Sequence, residues 1–402
     1  SSPSASLTYT RMFSTRVPAD LAPNRLTIAE RAIRARDGRM IDLTETNPTR
    51  VGLAYPPAAP AALASPATLA YDPLPFGLAG AREAVAESIL ADGRPVDPAR
   101  VILTASTSEA YSFLFKLLCD PGDQVLVPVP SYPLFEHLTR LELVEIRQYP
   151  LDYHGTWSID IHALEAAATA RTRAVLVVSP NNPTGSMVTR ADLEALASFC
   201  ASRGLALVGD EVFCDYTLDP REDVARVLDQ EKALTFSLGG LSKSAGLPQM
   251  KLGWMVAGGP SSLVDAALAR LEIICDAFLS VSTPVQHAAR ALLAYGGEIR
   301  RLIVERVRRN LGVLQATAAG HPDCSVLRVE GGWSAVVRVP ATRPEESLVL
   351  DLLERDAVLV HPGYFFDFPH EAFVVVSLLP DPESFRDGAA RLFERASAGG
   401  PA

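Results

Sequence analysis

Between residues 100 and 259 the chain passes through seven short apolar segments: RVILTAS, QVLVPVP, LVEIRQYPL, AVLVVSP, LALVGDEV, ALTFSL and LGWMVAGG. Most are continuously apolar rather than alternating, so both faces of each strand have to be covered. Helical patterns lie around them, including AGAREAVAESILADG, SEAYSFLFKLLCDPGD with its closing Pro-Gly turn, and TRADLEALASFCASRG. Strands of this kind alternating with helices specify an α/β fold whose central sheet is mostly parallel and flanked by helices. In such a sheet the ligand lies beyond the carboxyl ends of the strands. Function is therefore sought in the residues that follow each strand.

The chain has 402 residues, more than one core usually supports. A smaller α/β unit is expected from IRRLIVERVRRNLGVLQATAA, GGWSAVVRVP, LLERDAVLV and FVVVSLL. The boundary is expected near residues 285–300. Residues 1–50 then form an N-terminal arm and part of the small domain, 51–290 the large domain, and 291–402 the small C-terminal domain. AYPPAAPAALASPA, residues 54–67, reads as a linker. A formal net charge of −10 argues against a nucleic-acid or anionic-membrane binder, which needs clustered Lys and Arg. No apolar run approaches the roughly 20 residues that span a bilayer. The five cysteines are scattered without CxxC spacing, so neither a disulfide framework nor a zinc site is expected. The first residues lack the pattern of a signal peptide, and a cytoplasmic location is expected.

The residues at the strand ends are not random. Ser106, Thr107 and Ser108 follow VILT and open a helix, where free backbone N–H groups and the dipole favour a phosphate. A plain Ser/Thr cap with Glu109 in the first turn is the simpler alternative. Tyr132 follows QVLVPVP and could cover a flat ligand or merely pack. Asn182 lies in SPNNPTG, a rigid turn presenting an amide. Asp210 and Glu211 end LALVG, and a carboxylate there needs a cationic partner. Lys243, in SLGGLSKSAGLPQMKLGWMVAGG, stands among small residues rather than in the charged surroundings usual for a surface lysine.

Taken together, SPNNPTG, GDEV and LSKSAGLPQMKLGW resemble, in order and spacing, the pyridoxal-phosphate enzymes of fold type I, in particular the class I/II aminotransferases of the aspartate aminotransferase superfamily. YDPLPFGLAGAREAVAE is similar to a further stretch of that family, and the resemblance covers nearly the whole chain. It implies a large domain with a mostly parallel sheet, a smaller α/β domain, pyridoxal 5'-phosphate as cofactor, and a homodimer with shared active sites. It also implies a role for each residue. Lys243 forms a Schiff base with the cofactor and moves the proton at the substrate Cα, and Asp210 faces the pyridine nitrogen. Asn182 bonds the ring 3-oxygen, Tyr132 stacks on the ring, and Ser106, Thr107 and Ser108 hold the phosphate. Tyr71 matches the tyrosine that reaches the phosphate of the neighbouring subunit. The implied reaction moves an amino group from an amino donor to an oxo-acid acceptor.

Three positions depart from the family pattern. Phe213 stands where a tyrosine usually donates to the 3-oxygen, with Tyr216 nearby but out of register. Lys251 replaces the phosphate-binding arginine, keeping charge but not the bidentate fork. Val375 occupies the position of the arginine that clamps the substrate carboxylate. Arg50 is the candidate replacement and Arg338 a second. His361, in HPGYFFDF, is a further candidate substrate contact. These departures leave open a divergent reaction on the same scaffold: elimination, cyclisation, decarboxylation or oxidase-type chemistry. A regulatory protein of this fold would need an added DNA-binding domain. A nicotinamide dehydrogenase would need a GxGxxG after a strand, which is absent here.

Overall fold

The computed structural model describes residues 12–36, 39–91 and 93–398. The chain enters through helix α1 (Arg25–Ala35) and a two-residue strand β1 (Ile41–Asp42). Helix α2 (Ala79–Leu90) precedes the large unit: β2 (Val101–Thr104), α3 (Thr107–Leu118), β3 (Gln124–Val129), α4 (Leu134–Leu141), β4 (Glu145–Tyr153) and β5 (Trp157–Ile159). It continues through α5 (Ile161–Ala167), β6 (Thr172–Val178), α6 (Arg190–Arg203), β7 (Ala206–Asp210), β8 (Thr235–Gly240), the single turn α7 (Leu241–Ser244), β9 (Gly253–Gly258) and α8 (Ser261–Asp276). Each apolar run read from the sequence is a strand here. Helix α6 shows why its ends fall where they do: Thr189 and Asp192 form a reciprocal capping box, and Gly204 closes the helix at φ 64°.

These eight strands form one sheet in the order β2-β9-β8-β7-β6-β3-β4-β5. The pairs β3–β4, β3–β6, β6–β7 and β7–β8 are parallel. β9 runs antiparallel to both β8 and β2, so β2 points the same way as β8. The carboxyl ends of β2, β3, β6, β7 and β8 consequently share one edge, and the first residue of β9 joins them there. Strands β6 and β7 are buried along almost their whole length, as the continuous hydrophobicity requires.

The second unit follows helix α9 (Thr283–Ala318). It comprises β10 (Ser325–Val326), β11 (Ser334–Arg338), α10 (Glu345–Asp356), β12 (Val358–Leu359), β13 (His361–Pro362), β14 (Phe373–Ser377) and α11 (Pro382–Ser397). Its antiparallel sheet has the order β10-β11-β14-β13, and β1 pairs in parallel with β12. The N-terminal segment is thus stitched into this unit. The boundary expected near residues 285–300 falls inside α9 rather than in a loop. The reason is that the apolar stripe of this 36-residue helix runs unbroken from Val285 through Leu292, Ile299, Ile303 and Val307 to Leu314. That stripe joins Leu241 and Trp254 of the first unit to Val374 and Leu392 of the second in one core.

The proline-rich stretch is not a free linker. Residues 60–63 and 66–69 form 3-10 turns that pack on α9, and Ala59 is buried. Tyr55 Oη donates to Gly246 O at 2.7 Å, anchoring the segment beside the turn that follows Lys243. Small apolar side chains between prolines can pack as well as they can link, and composition alone does not separate the two.

Candidate active site

Four of the expected residues are delivered to the shared edge by strand ends. Asp210 is the last residue of β7, in register with Val178 on β6 and Leu238 on β8. Lys243 lies in α7, which begins directly after β8, and Leu241 N–H donates to Leu252 O at 2.9 Å to hold that turn against the start of β9. Tyr132 follows β3, and Asn182 follows β6 within a loop tied by Asn181 N–H to Ser186 O at 2.8 Å. Gly185 closes that loop at φ 71°, and a Cβ there would lie 2.7 Å from Gly331 O, so this position requires glycine.

Lys243 Nζ lies 5.3 Å from the ring centre of Phe213 and 4.7 Å from that of Trp333, and the two rings meet edge to face. Burial pulls the Lys243 amine down to about 8, against the opposing influence of the Asp210 charge. Burial likewise pushes Asp210 up to about 6. It is opposed by hydrogen bonds from the Val212 N–H and Tyr111 Oη and by the charge of Lys243. Tyr132 is raised by burial first and by the charge of Asp210 second.

Because the amine is neutral above about pH 8, roughly a tenth of it is unprotonated at pH 7, several hundred times the fraction of an ordinary lysine. Reductive labelling of Lys243 by a small aldehyde is expected to rise about tenfold per pH unit up to pH 8 and then level. Peptide mapping by mass spectrometry reads this out. A continued rise to pH 10 would show an unperturbed side chain.

The helix α3 start comes to the same edge. Ser106 caps the helix by accepting Glu109 N–H at 3.2 Å, which leaves its hydroxyl hydrogen free to donate. Glu109 reaches back to Ala105 N–H at 2.6 Å. Thr107 and Ser108 occupy the first turn, where backbone N–H groups have no partner within the helix. Gly253 opens β9 against this loop, its missing Cβ only 3.0 Å from the Ser106 carbonyl carbon. Lys251, two residues earlier, is exposed at φ 52°.

A model of the family described as aminotransferase class I and II matches residues 43–391. The chain belongs to the class I and II aminotransferases. Its relatives include the glutamate-pyruvate aminotransferase AlaA of Escherichia coli, 27% identical over 310 residues that cover 75% of this chain and 76% of that one. The alanine aminotransferase of Mycobacterium tuberculosis is 29% identical over 315 residues, covering 76% and 73%. Among solved structures, the alanine aminotransferase of Pyrococcus furiosus superposes with a TM-score of 0.86 at 23% identity, covering 95% of this chain and 98% of that one. This aminotransferase is an enzyme of amino-group transfer with the fold type I architecture.

Not every expected residue joins the cluster. Arg50 is exposed in a 3-10 turn capped by Asn47, and it lines a separate hollow with Arg34, Asp42, Glu45 and Asp381. Arg338 is exposed on β11 and donates to Ser325 Oγ at 3.3 Å. His361 lies between Phe365 and Phe366, and burial lowers it, with Asp42 and Glu30 acting in the opposite direction. Its loop is tied to the Tyr132 segment by Ser131 N–H donating to Phe366 O at 3.0 Å. Tyr71 is 76% exposed and lines a hollow that Leu74, Phe113 and Leu279 also line. Val375 is buried in an apolar cluster with Val336 and Phe366, so β14 presents no cation there.

Three residues went unnoticed as site residues in the sequence. Tyr216 is fully buried and donates from Oη to Lys243 O at 2.5 Å, bracing the lysine turn from below. Trp333 packs against Phe213 and Tyr216 beside Lys243. Tyr111, on α3, donates to Asp210 Oδ2 at 3.1 Å. The Gly-Gly pair before Trp333 was the only local signal, and nothing local marks Tyr111 in an apolar helix. The site also holds buried polar atoms with no partner: Ser131 Oγ, Asn181 Nδ2 and Trp333 Nε1. An unpaired buried donor costs about 1–3 kcal/mol. With a perturbed amine facing a carboxylate and a helix N-terminus alongside, this donor set suits a flat, phosphorylated, nitrogen-containing carbonyl compound.

Proposed function

We propose that this aminotransferase binds pyridoxal 5'-phosphate at Lys243 and moves an amino group from an amino acid to a 2-oxo acid. The observation that carries the reading is a largely desolvated lysine, lowered to about 8, set at the sheet edge opposite Asp210. When bound, the cofactor supplies an aldehyde to accept the donor's nitrogen and a protonated ring to draw electron density from the substrate Cα. Asp210 would face the ring nitrogen as a carboxylate. Asn182 would donate to the 3-oxygen, and Tyr132 would cover one face of the ring. The N–H groups and hydroxyls of Ser106, Thr107 and Ser108 hold the phosphate, with the charge of Lys251 nearby. Lys243 would take the proton from the substrate Cα as a general base and, as the conjugate acid, would give it back to the reacting substrate. Phe213 and Trp333 keep water from that amine.

The relatives' names make alanine, glutamate and pyruvate the first substrates to test. Purified protein supplied with pyridoxal phosphate, alanine and a 2-oxo acid should yield pyruvate and the matching amino acid in equal amounts. Release of ammonia without a new amino acid would favour the second reading, a divergent reaction, to which the apolar surroundings of Val375 and the loss of the phenol at Phe213 lend support.

The working form is proposed to be a homodimer. Tyr71 lines a hollow with Leu74 (43% exposed) and Phe113, and Phe113 packs on the exposed ring of Phe278 (52% exposed), an apolar rim that suits a second copy reaching the site. Phe278→Asp is expected to yield monomers in sedimentation and to weaken pyridoxal phosphate retention. A fully active monomer would remove Tyr71 from the site. None of the five cysteines forms a disulfide among the described residues, which suits a cytoplasmic location.

A further inference from the structure

Asp210 is a poor place for a charge. Its strand is buried, and among the described residues it receives one backbone donor, Val212 N–H at 3.3 Å, and one side-chain donor, Tyr111 Oη at 3.1 Å. Tyr111 sits on the inner face of α3, just past Ser106, Thr107 and Ser108, and is 3% exposed. Its ring is held edge-on by Phe135, with centres 5.3 Å apart, and is flanked by Phe115 at 6.0 Å. The phenol therefore has little freedom to point elsewhere. A hydrogen bond to an ionised oxygen is stronger than one to a neutral group, and it also stops the carboxylate rotating about its last bond.

We propose that Tyr111 is a positioning residue whose phenol keeps the Asp210 carboxylate ionised and in the orientation that it presents to the cofactor's ring nitrogen. This rests on the pyridoxal phosphate reading above. One helix then serves both ends of the cofactor: its N-terminus faces the phosphate, and Tyr111 supports the acid that meets the ring. Tyr111 touches neither the substrate nor the cofactor and acts only through Asp210.

The test is a binding measurement on apoprotein, with Tyr111→Phe beside wild type. Tyr111→Phe keeps the ring and its packing and removes a single oxygen. Two probes are titrated, pyridoxal phosphate and its 1-deaza analogue, in which carbon replaces the ring nitrogen. The dissociation constant for pyridoxal phosphate is expected to rise about tenfold in Tyr111→Phe, and that for the analogue less than about twofold. Equal weakening for both probes would make Tyr111 a packing residue and overturn the proposal, as would no change for either.

A second comparison guards against poor folding of the variant. In an Asp210→Asn background, removing the Tyr111 oxygen is expected to cost nothing further for pyridoxal phosphate, because the charge it supports is gone. A full tenfold loss there would overturn the proposal. Failure of the cofactor reading itself looks different: wild type would then bind pyridoxal phosphate no better than Lys243→Ala does.

Discussion

Lys243→Ala is expected to abolish amino transfer, with kcat falling by at least about 10³-fold. On the proposed reading two functions of one amine are lost together: the covalent attachment point for a carbonyl, and the base that moves the substrate proton. Added small amines such as methylamine should restore part of the second function but not the first, because a free amine can enter the space left between Phe213 and Trp333. The fold should survive. Lys243 forms no ion pair among the described residues, and its turn is held by backbone bonds and by Tyr216 Oη on its carbonyl rather than on its side chain. The check is single-turnover conversion of alanine to pyruvate by the loaded protein, with circular dichroism as the folding control. Residual activity within tenfold of wild type would mean that another group does this chemistry.

Glu211→Ala is expected to have the largest effect on stability, about 3–5 kcal/mol. Its carboxylate is fully buried, stands 3.0 Å from the Arg226 guanidinium, and accepts Val227 N–H at 3.0 Å and Ser237 Oγ at 2.5 Å. Removing it strands a nearly buried cation and two unpaired donors. The denaturant midpoint should drop sharply, whereas Glu211→Ala combined with Arg226→Met should recover much of the loss, since the uncompensated charge is then gone too. A loss below about 1 kcal/mol for the single variant would show that water replaces the missing partner.

These two acids illustrate how far a sequence carries. The pair Asp210-Glu211 at the end of a buried strand calls for a cation, but it does not say which acid receives one. The strand's period of two turns neighbouring side chains to opposite sides. The structure gives Arg226 to Glu211 as a structural pair and leaves Asp210 at the edge with Lys243. Arg226 comes from a loop fifteen residues further on, and no local pattern announces its return. Arg50 shows another limit. Its neighbourhood in the chain suggests a substrate contact, but nothing local says that a 3-10 turn capped by Asn47 sets it in a hollow with Arg34, Asp42, Glu45 and Asp381.

The sequence by itself determined the strands, the order of the motifs and the edge of the sheet where they meet. Continuous apolar runs and helix signals are local, and parallel strands place their carboxyl ends side by side by geometry alone. Only the tertiary structure decided that β9 runs antiparallel within the sheet, that the proline-rich stretch packs on α9, and that α9 crosses the expected domain boundary. It also decided that Tyr111, Tyr216 and Trp333 surround the acid and the amine. Each of these depends on contacts between segments distant in the chain, and on the desolvation that such contacts impose on Asp210 and Lys243. Burial is a property of the assembled fold, so the proton affinities that equip this site for chemistry could not be read from residues in a row.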